Sequence, residues 1–201
     1  MARLQLSKSA LSRETKQLVT FGRFLPALDL KRRQLMAERA KARERLTATQ
    51  SEIDETLRHV SEAVPMLSNV NVDLTDLAKV TRVELETENI VGTRLPKVRE
   101  VEIEVRPYSY MGKPHWVDRV VEDLQCMVEL RLRQQVEVQR VALLEEGVKK
   151  VTQRVNLFDK VLIPRAQRNI KKIKIFLGDA ERSGVVNSKL AKGKQRAQAT
   201  S

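Results

Sequence analysis

Residues 141–162, VALLEEGVKKVTQRVNLFDKVL, decide the fold. Val141, Leu144, Val148, Val151, Val155, Phe158 and Leu162 recur at alternating spacings of three and four, with charged and polar residues between them. A helix of that period carries one narrow apolar seam and needs a partner helix to cover it. The partner is written near the other end of the chain. Leu18, Phe21, Leu25, Leu28, Leu35, Ala42, Leu46, Thr49, Ile53 and Val60 keep the same spacings or multiples of them. Two such seams, separated by a stretch of different character, cover each other as an antiparallel pair. The expected fold is mainly α: a long antiparallel two-helix coiled coil formed by the N- and C-terminal segments, with a small β-hairpin insert between them.

Composition agrees with a thin core. Aromatic residues are 3% of the 201 and charged residues 32%, which suits two seamed helices better than a thick globule. The apolar share, 41% at strict spacing, argues against disorder over most of the length. The net charge of +12 is uneven, at +5 over residues 1–64, −1 over 65–113 and +8 over 114–201. A basic excess invites a nucleic-acid reading, but by itself has little specificity, and a solvated helix face or an acidic protein collar explains it as well. The single cysteine, Cys126, has no partner for an internal disulfide, which points to a reduced compartment. The opening MARLQLSKSALSRETK lacks the apolar core of a secretory signal, and no apolar stretch of membrane-spanning length follows. These features predict a cytoplasmic chain with no direct membrane insertion.

Four segments follow from the breaks in pattern. Residues 1–64 form the first long helix, capped near Ser12, kinked at Pro26 and ended by Pro65. Residues 65–113 are a mixed insert, in which 80–91 (VTRVELETENIV) and 98–106 (VREVEIEVR) alternate at the strand period. Gly92 and Pro96 stand between those runs, where a turn is needed. Residues 114–178 form the second long helix, opened by Pro114 and stopped by Gly178, with a slip of seam register near Leu132–Val138 and a bend at Pro164. Residues 179–201 read as a flexible basic tail.

Chemistry is sparse. No P-loop, nucleophile elbow or metal-ligand spacing is present, and His59 and His115 are isolated from each other and from Cys126. Glu100, Glu102 and Glu104 read as one solvated strand face. Tyr108, Tyr110 and Trp116 cluster before the second helix, as packing for the insert or as a partner anchor, with packing the favoured reading. The expectation is a non-catalytic chain with no cofactor and no metal.

Three stretches carry a resemblance. LDLKRRQLM at 28–36, NIVGTRLPKV at 89–98 and RVNLFDKVLIPRAQRNIKKIKIFL at 154–177 resemble the D subunits of the V-type and A-type rotary ATPases. The last is the most specific, the match covers roughly residues 10–177, and the lack of a long charged extension looks more like a bacterial form. The segment from Phe21 to Pro26 departs from the family's usual uninterrupted, Lys-rich helix. The resemblance implies a central-stalk, rotor-axle subunit peripheral to a membrane and placed in a ring of catalytic and non-catalytic nucleotide-binding subunits. It also implies two further partners, the small F subunit of the stalk and the funnel-shaped subunit on the proteolipid ring, and no nucleic acid. Within it, Gly92 and Pro96 belong to the insert motif. Arg165, Arg168, Lys171 and Lys172, with Arg32 and Arg33 opposite, are the candidates to touch acidic groups on the ring; the alternative is that they only keep the helices soluble. A coiled-coil scaffold without a rotary role is the competing reading.

Overall fold

The computed structural model describes residues 4–65, 77–107 and 116–199. The expected opening of the second helix at Pro114 lies outside them, as do Tyr108, Tyr110 and His115. The first helix, α1, runs from Lys8 to Ala63. Its cap is Ser7, not Ser12, because the Ala10 amide donates to Ser7 Oγ at 3.2 Å and so satisfies one of the free N–H groups of the first turn. Pro26 lies inside α1 without splitting it in two. The heptad series 7, 14, 21 to 56 and 11, 18, 25 to 60 is buried or half-buried at every position, and Leu35 and Ile53 are completely enclosed. The seam read from the sequence is therefore the buried face.

The C-terminal half is helical from Trp116 to Ala199 in three consecutive pieces: α2 (Trp116–Leu157), a π-helical turn (Phe158–Leu162) and α3 (Ile163–Ala199). Val120, Leu130, Leu144, Val151 and Val155 are buried on one heptad frame, whereas Ala166 and Ile173 are buried one position off it. A π turn closes i→i−5 bonds, here from the Ile163 N–H to the Phe158 carbonyl, and so inserts one residue into the frame. Pro164 supplies the cause. It has no N–H, and in α geometry its ring collides with the carbonyl of Lys160; widening the turn relieves the collision. The proline is accommodated by a π turn within a continuous helical run.

The slip expected near Leu132–Val138 is not where the frame changes. Val117, Val121 and Leu124 seemed out of phase because they serve a second face, packing with Leu77, Val105 and Trp116 at the base of the insert. Nor does Gly178 stop the helix. A glycine inside a helix costs about 1 kcal/mol, and the Ala-, Lys-, Arg- and Gln-rich sequence around it carries α3 on to Ala199, through most of the segment read as a flexible basic tail. Residues 181–195 are exposed all round.

The insert is a two-stranded antiparallel hairpin, β1 (Ala78–Ile90) and β2 (Thr93–Val105), joined by Val91-Gly92. Both turn residues have positive φ, 51° and 79°, as the tightest hairpin turn requires. Gly92 meets that requirement at no cost; Val91, β-branched, is strained by about 1–3 kcal/mol. Pro96 is not in the turn but in β2, opposite Thr87. Hydrogen-bonded pairs alternate outward from Ile90↔Thr93, so Thr87↔Pro96 is a non-bonded pair and the absent N–H faces away from β1.

Contacts divide the chain into two compact units, one combining residues up to Leu30 with those from Val151 onward, the other spanning Lys31–Lys150. In the first, the Phe21 and Phe158 rings meet edge-to-face at 5.4 Å and 85°, Asn169 donates to Glu14 Oε2 at 3.3 Å, and Lys8 lies 4.0 Å from Glu181. In the second, Leu35 lies beside Gly147, Arg43 pairs with Glu145 and Gln50 with Gln134. Within each unit, partner numbers fall as α1 numbers rise, so α1 is antiparallel to the helix it covers.

Candidate partner interface

The six basic residues singled out from the sequence fall in different units. Arg165, Arg168, Lys171 and Lys172 stand exposed on α3. The spacing of 165, 168 and 172 places three of them on one stripe beside the Ala166–Ile173 seam. Arg168 is steadied by a 3.3 Å bond from its Nε to the Pro164 carbonyl, and Arg165 borders a cavity of about 310 Å³ shared with Glu14, Phe21 and Asn169. Arg33 is exposed on α1, but Arg32 is half-buried at a seam position, one heptad after Leu25. Arg32 thus belongs to the packed face rather than to an outer one.

The hairpin is better anchored than its period alone suggests. Arg140, 8% exposed, is the one buried charged residue among those described, and it reaches both strands. Its Nη1 donates to the Pro96 carbonyl at 2.8 Å and its Nη2 to Glu88 Oε2 at 3.0 Å. The outward-facing edge at Pro96 is what makes that carbonyl available. One heptad along the same face of α2 lies Gly147, where an added Cβ would sit 3.3 Å from Thr93 Oγ1 and 3.8 Å from Leu35 Cδ1. The glycine lets the strand approach the helix closely. Leu95, between Thr93 and Pro96, is completely buried, and at Gly92 an added Cβ would lie 3.2 Å from Lys31 Nζ. Helices α1 and α2 together hold the tip, while Val105 packs on Val117 and Val121 at the base.

Neither Arg140 nor Gly147 was evident in the sequence as a hairpin contact. The one available signal was a glycine inside an otherwise strong helical run. A cavity of about 370 Å³ beside Arg140 is lined by Arg45, Lys97, Arg133, Glu88 and Glu137, a mixed set that encodes no acid–base or nucleophilic constellation. Among the described residues, no group of His, Cys, Asp and Glu is arranged to hold a metal ion, and no helix is long and apolar enough to cross a membrane. Among the same residues, the one displaced titration is at Glu146, where a 2.5 Å bond from Lys150 and its charge hold the carboxyl below the usual range. That pair is a solvated helix turn rather than a reactive site.

The described residues thus present a basic stripe on one helix and a hairpin fixed on a helix pair. The family model for the D subunit of ATP synthase matches residues 10–193. The D subunit of the V-type ATP synthase of Borreliella burgdorferi is 31% identical over 192 residues, covering 96% of this chain and 95% of the relative. The protein of the same description from Chlamydia abortus is 34% identical over 198 residues, covering 96% and 94%. With paired seams, a hairpin between them and matches along nearly the whole length, the chain belongs to the family of V-type ATP synthase D subunits.

Proposed function

We propose that this chain is the non-catalytic central-stalk subunit of a V-type ATP synthase, carrying torque between nucleotide chemistry in a catalytic ring and ion movement in a membrane ring. The observation that supports it best is the pair of heptad seams, running through α1 and through α2 and α3, in a chain that belongs to the family of D subunits. Helices locked seam to seam resist twisting, because rotating one against the other opens buried Leu and Val positions to water. The exposed surface is charged and poor in rings, which disfavours a deep anchor at any one of several successive neighbours. Arg33, Arg165, Arg168, Lys171 and Lys172 meet acidic groups of the ring in this reading, while the half-buried Arg32 supports the seam. The small F subunit of the stalk and the funnel-shaped subunit on the proteolipid ring are the further partners, and the chain is peripheral to the membrane.

Affinity purification of the tagged chain from native membranes in mild detergent tests the assignment. Recovery of P-loop ring subunits together with the proteolipid ring is the expected result. Recovery of the chain alone refutes it. Neutralising the exposed basic residues on α3 and Arg33 is expected to lower ATPase activity coupled to ion transport; unchanged coupling removes their role as ring contacts.

A further inference from the structure

The tip of the hairpin keeps a register that its own turn does not favour. The two-residue turn needs positive φ at both Val91 and Gly92, and Val91, β-branched and held at 51°, is strained there. A three-residue loop over Ile90, Val91 and Gly92, a type I turn closed by a left-handed glycine, needs positive φ at Gly92 alone. Adopting it slips β1 by one residue, so that Asn89 instead of Ile90 faces Thr93.

Little in the strands forbids that slip. A one-residue slip turns side chains to the opposite face, and the loss is large only where one face is buried. Glu86, Thr87, Glu88 and Asn89 are all polar and exposed, so this stretch of β1 has no buried apolar side chain to lose. The half-buried Ile90 moves into the loop. Pro96 passes from opposite Thr87 to opposite Glu86, again a non-bonded place where its missing N–H is harmless. Glu88 comes to face Arg94, a favourable cross-strand charge pair. The ladder already changes register twice, between Val80 and Arg82 and between Glu84 and Leu85.

What distinguishes the two registers is Arg140. Its guanidinium holds the Pro96 carbonyl of β2 and the Glu88 carboxylate of β1 at once, at 2.8 and 3.0 Å. The buried Leu95 seats β2, and Glu88, its cross-strand partner, shares the face turned to α2. The slip turns Glu88 off that face and breaks the double grip. We propose that the hairpin tip is a two-register device, and that Arg140 is the catch that holds β1 in the strained register through Glu88. The Glu88 side chain is 47% exposed, so a cation from outside can compete for it and release the slip.

NMR of the full-length chain tests the device. A non-bonded pair brings its Cα atoms to about 4.5 Å, which puts the two α-protons in close contact. Arg94 reports on both registers, touching Asn89 in the present one and Glu88 after the slip. The unaltered chain is expected to show the Asn89 contact. Arg140→Met is expected to raise the slipped register relative to the present one by about thirtyfold, bringing up the Glu88 contact. Adding Val91→Asn, which places an Asn-Gly pair in the two-residue turn, should restore the Asn89 contact with Arg140 still absent. An Arg140→Met chain that keeps the Asn89 contact alone overturns the proposal. So does the loss of both contacts, or a slip that Val91→Asn leaves in place.

Discussion

Arg140→Met isolates the anchoring of the hairpin. Methionine keeps most of the aliphatic stem of this α2 residue and removes the two bonds, to the Pro96 carbonyl at 2.8 Å and to Glu88 at 3.0 Å. A hydrogen bond from a charged donor contributes about 1.5–3 kcal/mol when its acceptor is enclosed. The Glu88 side chain is 47% exposed, so its share is screened and falls toward about 0.5 kcal/mol. The Pro96 carbonyl, approached by a guanidinium that is itself buried, retains the larger share. The sum is about 2 kcal/mol of local stability. In hydrogen exchange, an opening easier by that amount speeds exchange of the paired hairpin amides by about thirtyfold. Amides of α3, in the other compact unit, should be unchanged. In a double-mutant cycle with Glu88→Gln, the coupling should stay below about 1 kcal/mol. Hairpin exchange that does not move, or that moves equally with α3, would refute the view that Arg140 anchors the hairpin specifically.

Three further outcomes follow from the same geometry. Val91→Asn places a residue tolerant of positive φ in the hairpin turn and is expected to stabilise the hairpin by about 1 kcal/mol, read as slower exchange in β1 and β2; faster exchange would show that Val91 contributes packing worth more than its strain. Leu35→Ala and Ile173→Ala each empty a completely enclosed seam position and are expected to cost about 2–5 kcal/mol in denaturant unfolding, whereas truncating the exposed Leu190 should cost less than about 0.5 kcal/mol. Glu146 carries a lowered pKa in the folded state, so its pairing with Lys150 favours the fold above the unfolded carboxyl pKa and that contribution is lost as pH falls through the folded value. Titration of Glu146 by NMR should therefore show a midpoint that rises toward the ordinary carboxyl range in Lys150→Gln.

Much of the fold was legible because period reports burial. The seam of α1 is continuous in the sequence, and every heptad position from Ser7 to Val60 is at least half-buried. The strands were legible for the same reason, at period two. What escaped the reading lay where one residue served two demands. Val91 looks like the end of a strand and in fact occupies the turn, because the docking of Gly92, Thr93 and Leu95 holds the strained conformation that propensity opposes. Pro96 looks like a turn residue, but a two-stranded hairpin has an edge where a missing N–H is harmless. Val117 and Val121 looked like a register slip because they face the base of the hairpin rather than α1. Of the candidate site, the basic stripe on α3 was visible as spacing. The clamp was not, since nothing local in the sequence marks Arg140 as buried or says which strand it will meet.

The π turn before Pro164 has a consequence for comparing and recombining these chains. It acts as a one-letter frameshift in a text otherwise written in sevens: Val151 and Ala166 are fifteen residues apart, yet serve the same seam. A heptad template laid over the whole C-terminal half therefore reads correctly on one side of the turn and garbled on the other. A chimera that joins α2 of one relative to α3 of another inherits a coherent seam only if the inserted residue and the proline that demands it travel together. Splitting them turns every later contact about 100° around the helix, and the downstream partner meets charge where it needs Ala166 and Ile173.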